Sequence, residues 1–473
     1  MKRINIIVLC LLTFAILGAC KKSFLEIKPK GKLIAKKTSD YEGLFLDANS
    51  TLSIGASHPS VPMGDDVATL SSFFNSASIQ TVRLFKWQDD IYDQNVSAPE
   101  LSTPIKNLYL YNKIINEVME SQGDDMEYKR RLQMEAKGNR AYFNLMLINL
   151  YGKPYNKATS STDPGIPIIT EADVTQNSFT RATVQKVYDA ILADLLEAIP
   201  FIPVNNTARI RLTKAGAELV LAKAYLYMGE YAKALEWINT AKTHYPTEFP
   251  VAIYDYNETY KVANWTVSSL LNTESLYTRT SVVTWTSTSN DLVVAPWVIK
   301  LYGANDQRLK SFTDKPNNST ISNPGGLMRR KGPFASQASQ GVYLSDVELM
   351  KAECEARTND ITAALRTLVA FRKLRMPSAD ADVNITDKST LIKFIIDERV
   401  REFAVYGYRW YDMRRLSVDD LFKDKVYQHI QYNAASVKPQ PEPLETYTLD
   451  PKRLTMRFDF VVANANPGMT NNP

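Results

Sequence analysis

Histidine and cysteine, which most often serve as general bases, nucleophiles or transition-metal ligands, are sparse in this sequence. It holds three histidines, His58, His244 and His429, and none has a second histidine or a cysteine at metal-ligand spacing. The sequence also lacks a G-x-S-x-G nucleophile elbow, a phosphate-binding glycine loop and a dinucleotide fingerprint. We therefore expect no metal site and no cofactor, and the pattern favours a protein that is not an enzyme.

Two adjacent pairs of carboxylates are the remaining candidates for catalysis. A glycosidase needs only two acids at a suitable separation, and Asp65 with Asp66, or Asp89 with Asp90, could supply them. The alternative is that these residues occupy turns, cap helices or contact the hydroxyls of a sugar. We retain Asp65 and Asp66 as candidate ligand-binding residues and assign no catalytic residue.

Aromatic side chains outside the helical segments offer a different chemistry, the stacking of sugar rings. An exposed tryptophan presents a flat apolar face to the C–H groups of a sugar, and polar neighbours orient its hydroxyls. The stretch FKWQDDIYDQN holds both kinds of side chain. Packing in the core is the alternative for each tryptophan. The candidates for ligand contact in these regions are Trp87, Tyr92, Asn95, Trp285 and Trp297.

The start of the sequence has the proportions of an export signal. A short basic start, MKR, precedes a mainly apolar run that is too short for a comfortable membrane span. The stretch LGAC resembles a bacterial lipobox, in which cleavage exposes the cysteine and lipid is attached to its sulfur. The sequence therefore predicts a signal peptide over residues 1–19 and a lipid-anchored body over residues 20–473, attached through Cys20. A secretory signal with a chance cysteine is the alternative.

Charge and cysteine content agree with an exported body. The formal net charge falls from +5 to +3 once Lys2 and Arg3 are removed with the signal, and the other basic residues are scattered. Nucleic acid is therefore not an expected partner. Beyond Cys20, the mature chain keeps Cys354, so no disulfide within it is expected. Cys354 lies in a helical pattern and is predicted to be a buried, unreactive side chain.

The body shows the pattern of tetratricopeptide-like helix pairs. Across residues 212–246, apolar residues recur at helical spacing on both sides of Gly229, and small residues stand where two helices must approach. Residues 345–377 repeat this arrangement less clearly. Such repeats bury their apolar faces only by stacking on one another. The sequence therefore predicts a mainly α scaffold at about residues 101–246 and 342–416.

Two long irregular tracts interrupt this scaffold. Residues 50–104 and 247–341 are rich in Ser, Thr, Asn and aromatic residues, and a proline-broken tail covers about residues 433–473. Long structured loops on a rigid helical base are where binding residues usually lie. We therefore expect these insertions to form a ligand-binding face.

Four segments together resemble the SusD/RagB family of nutrient-binding outer-membrane lipoproteins from the Bacteroidetes. SFLEIKPKG is similar to the family's opening segment, AKGNRAYFNLMLINLYGKPY to its Arg-Ala-Tyr/Phe helix, and RLTKAGAELVLAKAYLYMGEYAKAL to its repeat signature. IIDERVREFAVYGYRWYDMRR resembles its late hallmark. The residues that carry this last similarity are Glu398, Arg399, Arg401, Glu402, Gly407, Arg409, Trp410, Asp412 and Arg414.

The late hallmark allows two interpretations. Asp397 and Arg401, like Glu398 and Glu402, are four residues apart and would share a charged helix face. This face could be a charged binding site. It could instead provide ion pairs that, with aromatic packing by Trp410, lock the last helices to the repeats, and we favour this structural role.

The resemblance implies a lipoprotein of the outer membrane, facing the cell surface. Such a protein captures an oligosaccharide or a peptide and passes it to a SusC-like TonB-dependent transporter without cutting it. In the family, the ligand site is built from loops on one face, and Asp65, Asp66, Trp285, Trp297 and the tract 87–95 lie in regions that commonly contribute. Two other functions stay open on the sequence: an anchored glycan hydrolase, and a repeat scaffold that binds only proteins.

The lipid anchor can be tested directly. Replacing the sulfur that would carry the lipid, in Cys20→Ala, should release the protein from membranes and abolish labelling with an acyl-chain precursor. The control Cys354→Ala should stay labelled and membrane-bound. A Cys20→Ala protein that still carries labelled lipid would sink the lipobox assignment.

Overall fold

The computed structural model describes residues 35–46, 54, 58–176, 178–206, 208–262, 265–332, 335–435 and 442–473. The predicted signal peptide and Cys20 lie outside these residues. Within the described ranges, no helix combines the length and the apolar character needed to cross a bilayer.

The chain is mainly helical, as the sequence predicts. Most of the longer helices follow one another as packed neighbours: α4 with α5, α5 with α6, α7 with α8 and α11 with α12. The helices are α1 (Thr38–Leu46), α2 (Ser71–Phe74), α3 (Ile79–Phe85), α4 (Pro99–Glu117), α5 (Met126–Tyr151), α6 (Val184–Ala198), α7 (Lys214–Tyr227), α8 (Tyr231–Lys242), α9 (Tyr256–Thr259), α10 (Pro296–Ile299), α11 (Leu344–Arg357), α12 (Ile361–Lys373), α13 (Lys388–Phe403), α14 (Tyr408–Leu416) and α15 (Phe460–Ala465).

The α7–α8 pair has the features expected of a tetratricopeptide unit. Gly229, in the turn between the helices, has a φ of 75°, which glycine adopts without the steric cost that a side chain brings. Ala222 of α7 and Ala234 of α8 are fully buried, so the small residues lie in the helix–helix interface. Ala352 and Ala364 are buried in the same way in α11 and α12. The sequence prediction of a helix-pair scaffold is confirmed.

Side-chain caps fix where several of these helices begin. Thr213 Oγ1 accepts from the backbone N–H of Gly216 at the start of α7, at 3.2 Å. Asp360 caps α12 in the same way, accepting from the N–H of Ala363 at 2.9 Å. A cap of this kind satisfies an N–H group that the helix itself leaves without an acceptor. The short loops between paired helices therefore end at defined residues.

The irregular tracts contain short strands that the sequence did not predict. The strands are β1 (Val67–Leu70), β2 (Ser275–Tyr277), β3 (Thr280–Val282), β4 (Val293–Val294), β5 (Phe312–Thr313), β6 (Arg329–Arg330), β7 (Gln337–Ser339), β8 (Val342–Tyr343), β9 (Gln428–Tyr432) and β10 (Pro443–Thr448). Four of them form a sheet in the order β10–β9–β1–β4, in which β9 and β1 are parallel and the other pairs antiparallel. This sheet joins both insertions to the tail.

The tail also covers the end of the longest helix, α5. The N–H of Met456 donates to the backbone carbonyl of Leu150 at 2.8 Å. The side-chain amide of Asn472 donates to the backbone carbonyl of Tyr151, also at 2.8 Å. The buried guanidinium of Arg414 donates to the carbonyl of Gly152 at 2.6 Å. These donors satisfy carbonyl groups that a helix leaves unpaired at its C-terminus.

The charged residues of the late hallmark form buried ion pairs. Arg399 pairs with Asp346 at 2.8 Å and with Asp412 at 2.9 Å, and Arg415 pairs with Asp412 at 2.8 Å and with Glu353 at 2.7 Å. We call this cluster the first charge network, and it links α7, α11, α13 and α14. Its cations and anions are Lys223, Arg357, Arg399 and Arg415 with Asp346, Glu353, Asp412 and Asp419.

A second charge network attaches the second insertion to α12 and α13. Glu398 accepts from Arg308 and from Arg372 at 2.6 Å each, and Arg375 pairs with Glu402 at 2.8 Å. Its members are Arg308, Arg372, Arg375 and Arg401 with Glu274, Asp306, Glu398 and Glu402. The structural interpretation of the hallmark is confirmed for its ion pairs, in which Arg401 pairs with Glu398 rather than with Asp397, and Trp410 is fully buried.

Breaking the first charge network should destabilise the protein strongly. Arg399→Met leaves Asp346 and Asp412 buried without their shared cation, and the free energy of unfolding should fall by about 3–5 kcal/mol. The matched control is Lys261→Met, which breaks an exposed pair with Glu258 and should cost at most about 0.5 kcal/mol. Denaturant unfolding of both variants measures the difference, and equal losses would contradict the structural role.

The same networks predict how stability depends on pH. Burial alone would raise the pKa of Asp412, but Arg399 and Arg415 hold it at about 2, and Arg308 similarly keeps the pKa of buried Glu398 at about 2. Both values lie below the ordinary values of about 4 in an unfolded chain. The stabilisation is therefore complete above about pH 4 and should be lost as the pH falls towards 2. Denaturant unfolding curves measured between about pH 4 and pH 2 should show the free energy of unfolding falling as the pH falls.

Candidate functional site

Four of the residues predicted to contact ligand converge on the short segment that precedes β1. Asp65 accepts two hydrogen bonds from the guanidinium of Arg409, one from Nε and one from Nη2 at 3.1 Å. The indole N–H of Trp297 donates to the backbone carbonyl of Asp65 at 3.0 Å. This arrangement joins the first insertion, the second insertion and α14 at one point.

Trp87 supports the same segment from the other side. Its indole stacks on His429 of β9 with ring centres 3.7 Å apart, and its N–H donates to the carbonyl of Met63 at 3.0 Å. His429 stacks in turn on Phe85, and its Nε2 lies 2.7 Å from the carbonyl oxygen of Gly64. All three rings are buried, so Trp87 is part of a packed aromatic stack.

Asp66 acts as a backbone acceptor inside the protein. Its Oδ2 accepts from the N–H of Val405 at 2.7 Å, in the link between α13 and α14 where Val405 has a φ of 57°. Burial raises the pKa of Asp66 to about 7. The carboxyl group therefore holds an unfavourable backbone conformation in place, next to the Asp65–Arg409 pair.

The other predicted residues lie apart from this cluster. The indole N–H of Trp285 donates to Thr81 at 3.0 Å, in the apolar core that also contains Phe85 and β1. Buried Tyr92 donates its hydroxyl proton to Glu100 at 2.6 Å, whereas Asn95 is exposed. The idea of an exposed aromatic platform is therefore wrong for Trp87, Tyr92 and Trp285, because each polar group has an internal partner and each ring packs inside. Ligand contact by the seven predicted residues stays a prediction.

An open cleft is lined by Arg409, and Trp297 lies against Lys425, one of its lining residues. One cavity of about 390 Å³ lies between α13, α14 and the segment that follows α14. A second cavity, of about 520 Å³, shares Lys425 and Tyr427 with the first and extends to the loop after α5 and to the tail. We call these two adjoining cavities the Lys425 cleft. Cavities of this size accommodate ligands as large as several sugar rings.

The Lys425 cleft combines charged, polar and aromatic groups. The ammonium of Lys425 lies 5.4 Å from the ring centre of Trp297 and 5.6 Å from that of Tyr427, within cation–π range. In the described part of the chain it has no carboxylate within ion-pair distance. Asp397 of α13 lines the same cavity, and burial raises the pKa of its carboxyl group. A donor, an acceptor and apolar ring faces are thus available to one ligand.

Sequence reasoning missed Lys425, Tyr427 and Phe422 as site residues. All three lie in the stretch LFKDKVYQH, where basic and aromatic residues alternate in a short connection between α14 and β9. That alternation is a signal that could have identified them. The late hallmark lies immediately before this stretch, and its charges are accounted for by ion pairing.

The carboxylates considered for hydrolysis serve structural roles. Asp65 is neutralised by Arg409, and Asp89 and Asp90 pair with Arg453 at 3.2 Å and Arg457 at 2.9 Å. These last two pairs hold the first insertion to the tail. Over the residues that the structure describes, no group of three or more histidine, cysteine, aspartate or glutamate side chains is arranged to hold a metal ion.

Comparisons with known proteins define the class to which this fold and cleft belong. Residues 24–226 match a SusD-like family model described as starch-binding and associating with the outer membrane, and residues 343–473 match the SusD family model. The chain belongs to the SusD/RagB family. No curated protein is similar enough in sequence to count as a relative.

Solved structures share the whole architecture at low sequence identity. A SusD superfamily protein from Bacteroides thetaiotaomicron matches with a TM-score of 0.72 at 18% identity, over 92% of this chain and 100% of its own. A putative sugar binding protein from Bacteroides vulgatus matches with a TM-score of 0.71 at 18% identity, over 93% of this chain and 99% of its own. A SusD-like carbohydrate binding protein from Bacteroides fragilis matches with a TM-score of 0.67 at 13% identity, over 92% of this chain and 99% of its own. These matches establish the fold.

The two indoles next to the segment before β1 should respond differently to truncation. Trp87→Ala removes a buried ring and its hydrogen bond, so the free energy of unfolding should fall by about 3–5 kcal/mol. Trp297→Ala removes a half-buried ring at the edge of the cleft and should cost clearly less. Denaturant titration of both variants gives the comparison. A smaller loss for Trp87→Ala than for Trp297→Ala would contradict the packing described above.

Proposed function

We propose that this protein is a nutrient-binding lipoprotein that captures oligosaccharides at the outer membrane and delivers them to a SusC-like TonB-dependent transporter. In this proposal Cys20 carries the lipid anchor, the body faces the cell surface, and the protein binds its ligand without cutting it. Peptides are the alternative ligand class, because a polar cleft with aromatic walls suits both.

The Lys425 cleft is the observation that carries this proposal. It is open, it is large enough for several sugar rings, and its charged and aromatic groups are of the kinds that bind hydroxyls and sugar faces. Trp297 and Asp65 connect it to both insertions, the regions predicted to form the ligand-binding face. The sugar-binding descriptions of the structural neighbours from Bacteroides vulgatus and Bacteroides fragilis support the same ligand class.

Two other functions make different demands on this site. A hydrolase needs a pair of free carboxyl groups facing the ligand, and the pair that the sequence suggested, Asp65 and Asp66, is buried and engaged with Arg409 and a backbone N–H. Asp397 and Asp424 do line the cleft, so the search for new chain ends described below is the test of hydrolysis. A scaffold that binds only proteins would pack its irregular tracts inward, and the burial of Trp87 and Trp285 fits that function. The open cleft lined by Phe422, Lys425 and Tyr427 favours ligand binding instead.

Glycan binding should depend on Lys425. We expect the detergent-purified lipoprotein to retain one class of glycan from a broad panel of oligosaccharides and polysaccharides, with no new chain ends appearing over time. Lys425→Ala should weaken the binding about 10- to 100-fold, because it removes hydrogen bonds from a charged donor. The matched control Lys261→Ala removes an exposed lysine outside the cleft and should leave the affinity unchanged.

Each result of this experiment has a distinct meaning. Chain ends that accumulate with time would establish a hydrolase and overturn the binding proposal. Retention of peptides alone would change the ligand class, and retention of neither would leave the protein-binding scaffold. Glycan binding that is unaffected by Lys425→Ala would show that the site lies elsewhere on the molecule.

A further inference from the structure

A largely apolar cavity of about 370 Å³ lies between α4, the end of α5, the link from α5 to α6, and the tail. It shares no lining residue with the Lys425 cleft. Pockets of about 300–1,000 Å³ hold small molecules in proteins, so this cavity is large enough for a ligand. Its deeper walls are aliphatic and aromatic, and the buried residues among them include Leu101, Leu108, Leu147, Ile166, Phe458 and Met469.

Hydrogen bonds fix the walls of this apolar cavity relative to one another. The carboxylate of Asp459 in the tail accepts from the N–H of Ala98, just before α4, at 2.8 Å. Asn466, also in the tail, accepts from the N–H of Phe179 in the link between α5 and α6 at 2.8 Å. The side-chain amide of Asn112 in α4 donates to a backbone carbonyl of the same link at 2.9 Å. Each of these three walls is therefore joined to the other two, so the cavity is a fixed part of the fold.

The polar groups deep in the cavity already have partners within the protein. The hydroxyl of Tyr151 donates to Glu100 at 3.1 Å. The second carboxylate oxygen of Asp459 accepts from the N–H of Val462 at 2.8 Å, and the side-chain amide of Asn466 donates to the carbonyl of Val462 at 2.9 Å. A sugar placed here would lose its hydrogen bonds to water and find few groups free to replace them. The interior therefore suits hydrocarbon rather than a hydroxylated ligand.

An uncompensated cation lies at the mouth of the cavity. Lys106 of α4 lines the cavity and is exposed, and in the part of the chain that the structure describes it has no carboxylate within ion-pair distance. Asp459, the other charged residue of the lining, is engaged with two backbone N–H groups. Ser102 lines the same cavity four residues before Lys106, so its hydroxyl and the ammonium share one face of α4. An anionic group at the mouth would meet both.

We propose that this cavity binds one fatty acid, with its hydrocarbon chain in the apolar interior and its carboxylate at Lys106. Each methylene group that moves from water into the interior favours binding. The carboxylate adds the attraction of an ammonium that has no other partner. A neutral chain of the same length gains only the first contribution. The cavity is separate from the Lys425 cleft, so this inference does not depend on the proposed glycan function.

Photo-crosslinking in phosphatidylcholine nanodiscs provides a direct test without detergent, which would itself enter an apolar cavity. The reconstituted lipoprotein is exposed to dodecanoate that carries a diazirine at the end of its chain. Saturable labelling should appear on peptides that contain Leu147, Phe458 or Met469, although phospholipid is present in excess. Unlabelled dodecanoate should compete with this labelling, and dodecanol should compete clearly less well. The absence of saturable labelling at these residues overturns the proposal.

Variants connect the labelling to the cavity and to its cation. Lys106→Glu changes an exposed side chain and should fold, and the dodecanoate concentration for half-maximal labelling should rise about 10-fold because attraction becomes repulsion. Labelling by the corresponding photoreactive alcohol should not change. Ile105→Trp, at a half-buried lining position, should weaken labelling by both probes. The matched control Lys186→Glu changes an exposed lysine outside the cavity and should behave like the parent protein. An unchanged dodecanoate concentration in Lys106→Glu contradicts the proposed site of the carboxylate.

Discussion

Pairing of buried arginines with buried carboxylates is the constraint on which the arrangement of this molecule depends. Removing a charge from water is expensive, and the cost is offset only when a partner of opposite charge is placed with good geometry. Each of the two charge networks contains four cations and four anions, and their members come from helices and insertions that are far apart in the sequence. Any displacement of α13 would separate partners in both networks at once, so this helix has one favourable position.

The position of the cleft follows from this framework. The first charge network fixes α14, and α14 carries Arg409, whose pair with Asp65 fixes the segment before β1. Trp297 is hydrogen-bonded to that same segment, so the second insertion is aligned with the first. The walls of the Lys425 cleft that come from α13 and α14 are therefore held by buried contacts. If the cleft binds the proposed ligand, walls fixed in this way reduce the entropy lost on binding.

The sequence predicts the scaffold well because repeat packing is local. Gly229 and the alanines of α7 and α8 show where two neighbouring helices meet, and no information from elsewhere in the chain is needed. The ion-pairing role of Glu398, Arg401 and Glu402 could also be predicted, because charges at helical spacing within an apolar context need partners nearby.

The ligand face could not be predicted in the same way. Trp87 is covered by His429, and Trp285 is hydrogen-bonded to Thr81. Each partner lies far along the sequence from its tryptophan. Aromatic character alone therefore does not distinguish a core ring from a binding surface. The strands of the main sheet escaped prediction because they have two to six residues, too few for a clear alternation. The alternation of basic and aromatic residues around Lys425 suggests a site, but only the structure shows that this lysine lines a cavity.

The pairing of β1 with β9 has a consequence for the order in which the protein is built. Thr69 lies opposite Gln431, so this contact joins segments near opposite ends of the chain, whereas α4 to α8 each contact a neighbour in the sequence. Contacts between distant segments form later than contacts between neighbours, because closing a long loop costs more conformational entropy. Helix pairs can therefore form before the two ends of the chain meet, whereas the four-stranded sheet needs β9. A chain that ends before β9 keeps the segments that form the helix pairs α4 to α8 but cannot form the sheet that joins both insertions to the tail.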